Sequence, residues 1–183
     1  MVALPPALDG SALPLAERMA ATLDGELYPL GGAHCPIDEV ETPRLRLAAA
    51  LAGLPVRLIA ELGTAAWVWG ATPIAPRPLE LCVDLGARAR PLHAAPVVIR
   101  EVVVRSGDLV SLGERRVTSP LRTAIDLARS RIRWGDHEAL LVSELARQTG
   151  FTFDDCRTVV EARRNLPDKR RAMIRLERAL SPR

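Results

Sequence analysis

Apolar positions recur at two periods along the chain, and each change of period marks an element. Over LELCVDL, Leu79, Leu81, Val83 and Leu85 fall on every second position, the period of a strand with one buried face. VVIREVVV (97–104) reads as a second strand, and Leu109–Leu112 and Arg115–Thr118 as two short strands around a turn at Gly113-Glu114. The period then becomes helical. In VTSPLRTAIDLAR (117–129), Leu121, Ala124, Ile125 and Ala128 fall at i, i+3, i+4 and i+7. Ser119 is placed to accept a bond from an orphan N–H as the N-cap. Pro120 follows at the first helical position, where its missing N–H costs nothing. Only Leu121 and Ile125 are large on this face, so the helix can pack close. Arg122 and Asp126 sit four apart on another face and can pair. The stretch predicts a buried hinge between a β layer and a helical layer.

The rest of the chain reads in the same terms. Leu15–Leu23 predicts a short helix, and the turn pairs Asp24-Gly25 and Gly31-Gly32 predict a small hairpin, its first strand an edge because of Pro29. Thr42 and Pro43 open a helix over RLRLAAALAGL, and Gly53 and Pro55 stop it. After the short apolar run 56–60, Thr64 is expected to cap a helix over AAWVWG. Trp67 and Trp69 lie two apart, so one is expected inward and the other over an edge, both as packing rather than as a ligand cage. Residues 71–78 carry three prolines and read as a loop, as does 86–96 with Arg88, Arg90 and His93. Helices are expected over Asp136–Gln148, from a Thr152/Asp155 capping box to about Arg164, and from about Asp168 to Leu180, with a break at Asn165-Leu166-Pro167.

Composition narrows this picture. The length of 183 residues suits one domain, or one with a small extra piece, and aromatics at 3% leave the core to Ala, Leu, Val and Ile. All but Lys169 of the 25 basic residues are arginines, so no single arginine is remarkable by its type. Cys35, Cys82 and Cys156 are odd in number and widely spaced, which indicates neither a disulfide framework nor a zinc site. With no signal-peptide pattern and no long apolar run, a cytoplasmic protein without a membrane span is expected. Charge is graded along the chain. Residues 1–43 hold seven acids and one base, whereas residues 157–183 hold nine bases and three acids.

Candidate chemistry is sparse. A restriction-type metal nuclease needs converging carboxylates and a nearby lysine. Asp84 and Glu101 lie on consecutive predicted strands, but Glu101 is followed by Val, Val, Val, Arg. No GxSxG is present, His34, His93 and His137 have no neighbouring nucleophile pattern, and Gly31-Gly32 lacks the remainder of a phosphate loop. A non-enzymatic protein with no metal and no cofactor is therefore expected. The C-terminal helix is more suggestive. Arg171, Arg175 and Arg178 form a stripe opposite Met173, Leu176 and Leu180, with Arg164 and Lys169 beside it. Such a stripe lies along nucleic acid or an acidic partner, or is a solvated face.

TAAWVWG, PLELCVDL, VIREVVV, DLVSLGERRVTSPLRTAIDLAR and RNLPDKRRAMIRLERAL, taken in succession, resemble the AbiEi-type antitoxin family in its high-GC actinobacterial branch, over roughly residues 44–180. The most specific piece is 117–129. Its Thr118, Ser119, Pro120, Arg122, Thr123, Asp126 and Arg129 are family positions of fold, not of catalysis. The resemblance implies an N-terminal winged helix-turn-helix that binds the operon's own promoter, and an α/β domain that neutralises a nucleotidyltransferase toxin as its protein partner. The expected fold is α/β of the α+β type. It has a small, mostly antiparallel sheet flanked by helices, a helical C-terminal third, and a remnant wing hairpin at residues 25–38 within an acidic segment 1–43 that precedes the antitoxin domain 44–183. Ahead of that hairpin the only base is Arg18, and phosphate repels an acidic reading head. Either the DNA-binding module is degenerate, or duplex DNA is contacted through Arg171, Arg175 and Arg178. The two expected functions are a toxin-neutralising antitoxin and, alternatively, a transcriptional regulator acting through the basic C-terminal helix.

Overall fold

The computed structural model describes residues 5–87, 96–130, 134–164 and 166–181. The chain begins with helix α1 (Leu15–Leu23) and a hairpin of β1 (Leu27–Leu30) and β2 (Ala33–Pro36). Helix α2 (Pro43–Ala50), strand β3 (Ile59–Ala60) and helix α3 (Leu62–Val68) lead into β4 (Leu79–Asp84). Strands β5 (Val97–Val102), β6 (Leu109–Leu112) and β7 (Arg115–Thr118) follow. The helices α4 (Pro120–Arg129), α5 (Asp136–Thr149), α6 (Phe153–Glu161) and α7 (Lys169–Leu180) complete the chain.

The class is α/β, as expected, but the main sheet is mixed. Its order is β5-β4-β3-β7-β6. β3 runs antiparallel to β4 and β6 to β7, whereas β3–β7 and β4–β5 are parallel. The expectation of a mostly antiparallel sheet therefore holds for β3–β4 and β6–β7 and fails for β3–β7 and for the longest pairing, β4–β5. The long connection from β4 to β5 lets the chain return in the same direction, which a tight turn cannot do.

Local signals place several elements. Ser119 and Thr42 accept bonds from Arg122 N–H at 3.3 Å and Leu45 N–H at 3.2 Å, each followed by its proline. Thr152 and Asp155 form the expected capping box, and Gly150 ends α5 in the left-handed region. The Thr64 cap is a correction. α3 begins three residues earlier, after Glu61, and the Thr64 hydroxyl instead accepts the Glu80 N–H of β4 at 2.8 Å.

The sheet separates two cores. Leu81 and Val83 of β4 pack with α2 and with Leu30, Ala33 and Cys35 of the hairpin. On the other side Ile125 and Ala128 of α4 pack with Leu141 and Leu145 of α5 and Leu176 of α7. Trp67 is buried, and the half-buried Trp69 donates its indole N–H to Thr118 O at 2.8 Å, the inward and edge roles expected of the pair.

The hairpin turn meets α2 closely. At Gly31, φ is +57°, and an added Cβ would lie 3.2 Å from the Trp67 ring and 3.3 Å from Ala50 N. At Gly25, φ is +77° with nothing within 4 Å. Gly25→Ala should cost about 1 kcal/mol from backbone strain alone, and Gly31→Ala about 2 kcal/mol or more because Ala50 is backbone and cannot yield. Urea denaturation of the two variants checks the order.

Candidate functional site

The polar residues of the 117–129 stretch converge on one buried cluster. The Arg122 guanidinium is inserted between two buried carboxylates, Asp126 one turn along α4 at 2.6 Å and Asp108 in the turn before β6. Asp126 also accepts from Arg129 at 2.9 Å, and Asp108 from Arg163. Two carboxylates thus hold three guanidinium groups. Burial pushes the Arg122 pKa down, but Asp126 and Asp108 outweigh it and the charge is held. Thr118 and Thr123 hydroxyls share a bond of 2.7 Å, and Thr123 also donates to Ser119 O at 2.9 Å, tying β7 to α4. Asp108 fixes its own turn by accepting the Arg105 N–H at 3.0 Å.

A further buried carboxylate, paired with a half-exposed arginine, lies nearby. Glu61, 1% exposed, accepts two bonds of 2.6 Å from Arg100 on edge strand β5. Burial raises the Glu61 pKa against the opposing pull of Arg100. Burial and Glu61 also push the adjoining Cys82 thiol up, so it is not a ready nucleophile.

These clusters form the wall of a cleft between β5, α4 and the segment joining α6 to α7. Its volume is about 420 Å³, and Arg100, Arg105, Arg122, Arg129 and Arg163 line it together with Asp126 and Glu101. A second cleft of about 460 Å³ shares Arg100, Asp126 and Arg129 and extends past Glu61 to Leu62 and Asp168. Leu62 at φ +48° and Asp168 at φ +60° are, among the described residues, the non-glycine positions with positive φ. Both line this second cleft, and backbone strain of this kind persists where the surroundings impose it and clusters at functional sites.

The arginine stripe of the C-terminal helix does not form as a free face. Arg175 turns inward, donates to Ala128 O at 3.0 Å and Ser130 O at 2.6 Å, and lies 5.1 Å over the Trp134 ring. It caps the carbonyl end of α4, the end of a helix that favours a cation. Arg171 pairs with Asp168 at 2.9 Å and Lys169 reaches Glu161 O at 3.4 Å. Arg164, Arg171 and Arg178 are exposed, so the five basic residues are divided between capping, pairing and solvent. Asp84 and Glu101 do not converge. Strand register sets Glu101 beside Val83 and Asp84 beside Val102, so the two carboxylates leave the sheet on opposite faces. Among the described residues, no group of His, Cys, Asp and Glu is arranged to hold a metal. Arg88, Arg90 and His93 lie outside the described residues.

Helix α1 carries a further surface. Arg18, Ala21 and Thr22 are half-buried, and Arg18 reaches His34 of the hairpin at 3.3 Å. Leu15, Met19 and Leu23 form the outward stripe and are 62%, 49% and 85% exposed. Ile37, whose N–H donates to Glu26 O at 3.0 Å, and Val40 are also exposed at this end. The usual arrangement, with the apolar stripe inward, is reversed.

Neither a protein-family model nor a curated protein matches the chain. No helix among the described residues is long and apolar enough to cross a membrane.

Sequence reasoning found Arg122, Asp126 and Arg129 but missed Glu61, Arg100, Asp108 and Arg163. Arg163 and Asp108 are 55 positions apart, and Arg100 and Glu61 are 39 apart, beyond any local periodicity.

The raised pKa of Glu61 has a definite sign in stability. A carboxyl whose pKa rises on folding favours the folded state below its ordinary value of 4.5, and this is lost as pH rises through the folded value. Arg100→Ala should therefore cost about 3 kcal/mol near neutral pH, where it strands a buried carboxylate, and less at about pH 4, where Glu61 takes up a proton. Glu61→Gln should gain on the parent protein as pH rises over the same interval. Denaturation at several pH values checks both.

Proposed function

We propose that the protein is a non-enzymatic, antitoxin-like regulatory protein that binds a partner protein through the outward face of α1. The observation that carries this reading is the reversed helix. Leu15, Met19 and Leu23 face solvent on a helix with no buried residue, while Arg18 and Thr22 face the body. Solvent gives no reason to hold a leucine stripe outward, whereas a partner that removes it from water gains about 1.5–3 kcal/mol for each large side chain fully buried. Exposed acids surround it, among them Glu17, Asp24, Glu26, Asp38 and Glu39. The complementary partner therefore presents apolar residues within a basic rim. The resemblance of 117–129 to AbiEi-type antitoxins supports a cytoplasmic toxin of the nucleotidyltransferase type as that partner; the resemblance puts the toxin contact on the α/β domain, and in this reading α1 of the preceding segment extends it. The same acids disfavour duplex DNA at this end.

A regulator that contacts DNA through its C-terminal helix is the second reading, supported by the exposed Arg164, Arg171 and Arg178 and weakened by the inward turn of Arg175.

Co-expression with the protein encoded beside it separates the two. A complex should survive size exclusion and relieve growth inhibition, and a Met19→Asp/Leu23→Asp variant, which disturbs no buried group, should weaken it at least about tenfold. Undiminished binding by that variant contradicts the α1 surface. Salt-sensitive binding to promoter duplex that is lost in Arg171→Gln/Arg178→Gln, without any protein complex, favours the regulator instead.

A further inference from the structure

We infer that the cleft between β5 and α4 is an anion site that takes the phosphoryl group of a small phosphomonoester. This does not rest on the partner reading, because the cleft and α1 are separate surfaces.

The donors are in place and incompletely used. Arg100 spends two of its nitrogens on Glu61, Arg163 spends one on Asp108, and Arg129 spends two on Asp126 and Pro167 O. Arg105 is exposed and its guanidinium has no partner among the described residues. The remaining N–H groups belong to four side chains on different elements, all lining one cavity. Donors arriving from several directions suit a tetrahedral group with three terminal oxygens better than a planar carboxylate, which one guanidinium fork can satisfy.

Electrostatics point the same way. Arg129 is 20% exposed and Arg163 11%. Burial lowers the Arg129 pKa, Asp126 opposes this, and the charges of Arg122 and Arg100 lower it further. The five arginines of the cleft exceed the carboxylates that hold or adjoin them, Glu61, Glu101, Asp108 and Asp126, by one positive charge, which an anion placed among them balances. The carboxylates that hold these arginines also fix their orientation before a ligand arrives, which lowers the entropy cost of binding. Val102, Val103, Leu166 and Pro167 supply an apolar wall beside the donors, and about 420 Å³ accommodates a small organic group attached to the phosphate. The chemical class is therefore a phosphate monoester with a compact apolar or aromatic substituent.

The test is calorimetric titration of the full chain with phenyl phosphate and, in parallel, with inorganic phosphate. Saturable one-to-one binding is expected, tighter for phenyl phosphate because of the apolar wall. Arg105→Gln, which breaks no bond within the described structure, should weaken it about tenfold, the loss of one charge-assisted bond. Arg147→Gln on α5, an exposed arginine outside the cleft, should leave it unchanged. Absence of binding at millimolar ligand overturns the inference. Equal weakening by the two variants also overturns it, because it shows general attraction to a basic protein rather than a site.

Discussion

Arg122 is the side chain on which the most other features depend. It lies on a helix buried on nearly every side and is held by carboxylates from two elements, Asp126 of α4 and Asp108 ahead of β6. Asp108 in turn holds Arg163 after α6, and its own backbone accepts the Ser119 N–H at 2.8 Å at the start of α4. One ion cluster therefore sets the β6 turn, the cap of the central helix and the C-terminal helical layer relative to one another. Each of its members depends on the others, because a buried carboxylate or guanidinium without its partner costs several kcal/mol. An apolar core would hold the same helices together, but it would leave no oriented donors at the surface. This arrangement holds the layers and lines a cleft with the unused N–H groups.

The parts of this design that were legible in the sequence are those enforced within a few residues. Ser119-Pro120, Thr42-Pro43, the Thr152/Asp155 box and Gly150 each act through the nearest backbone groups, and each appears where the residue types placed it. Arg122 and Asp126 were legible as a pair because i and i+4 meet on any helix; that they are buried was not, since burial is decided by α5, α7 and the sheet. Thr64 shows the same limit from the other side. Its hydroxyl suits a cap, but the Glu80 N–H of a neighbouring strand reaches it first. The arginine stripe was misread for a similar reason. Helical spacing put Arg175 with Arg171 and Arg178, and the carbonyl end of α4 drew it inward.

Polar groups lie inside and apolar groups outside where a simple packing argument expects the reverse. The buried charges are individually compensated and account for the orientation of the cleft. The outward apolar stripe of α1 has no such compensation among the described residues. The two proposals, a partner on that stripe and an anion in the cleft, draw on these departures separately.

The account stands most directly on the coupling between Asp108 and Arg122. A double-mutant cycle with Asp108→Asn and Arg122→Met, followed by urea denaturation, measures it without reference to any ligand. If the two groups form the buried link described, the effects of the single changes are far from additive, with an interaction energy above about 1.5 kcal/mol. Additivity within about 0.5 kcal/mol would show that Arg122 is not held by Asp108, and the common scaffold for the turn, the helix and the cleft would fail with it.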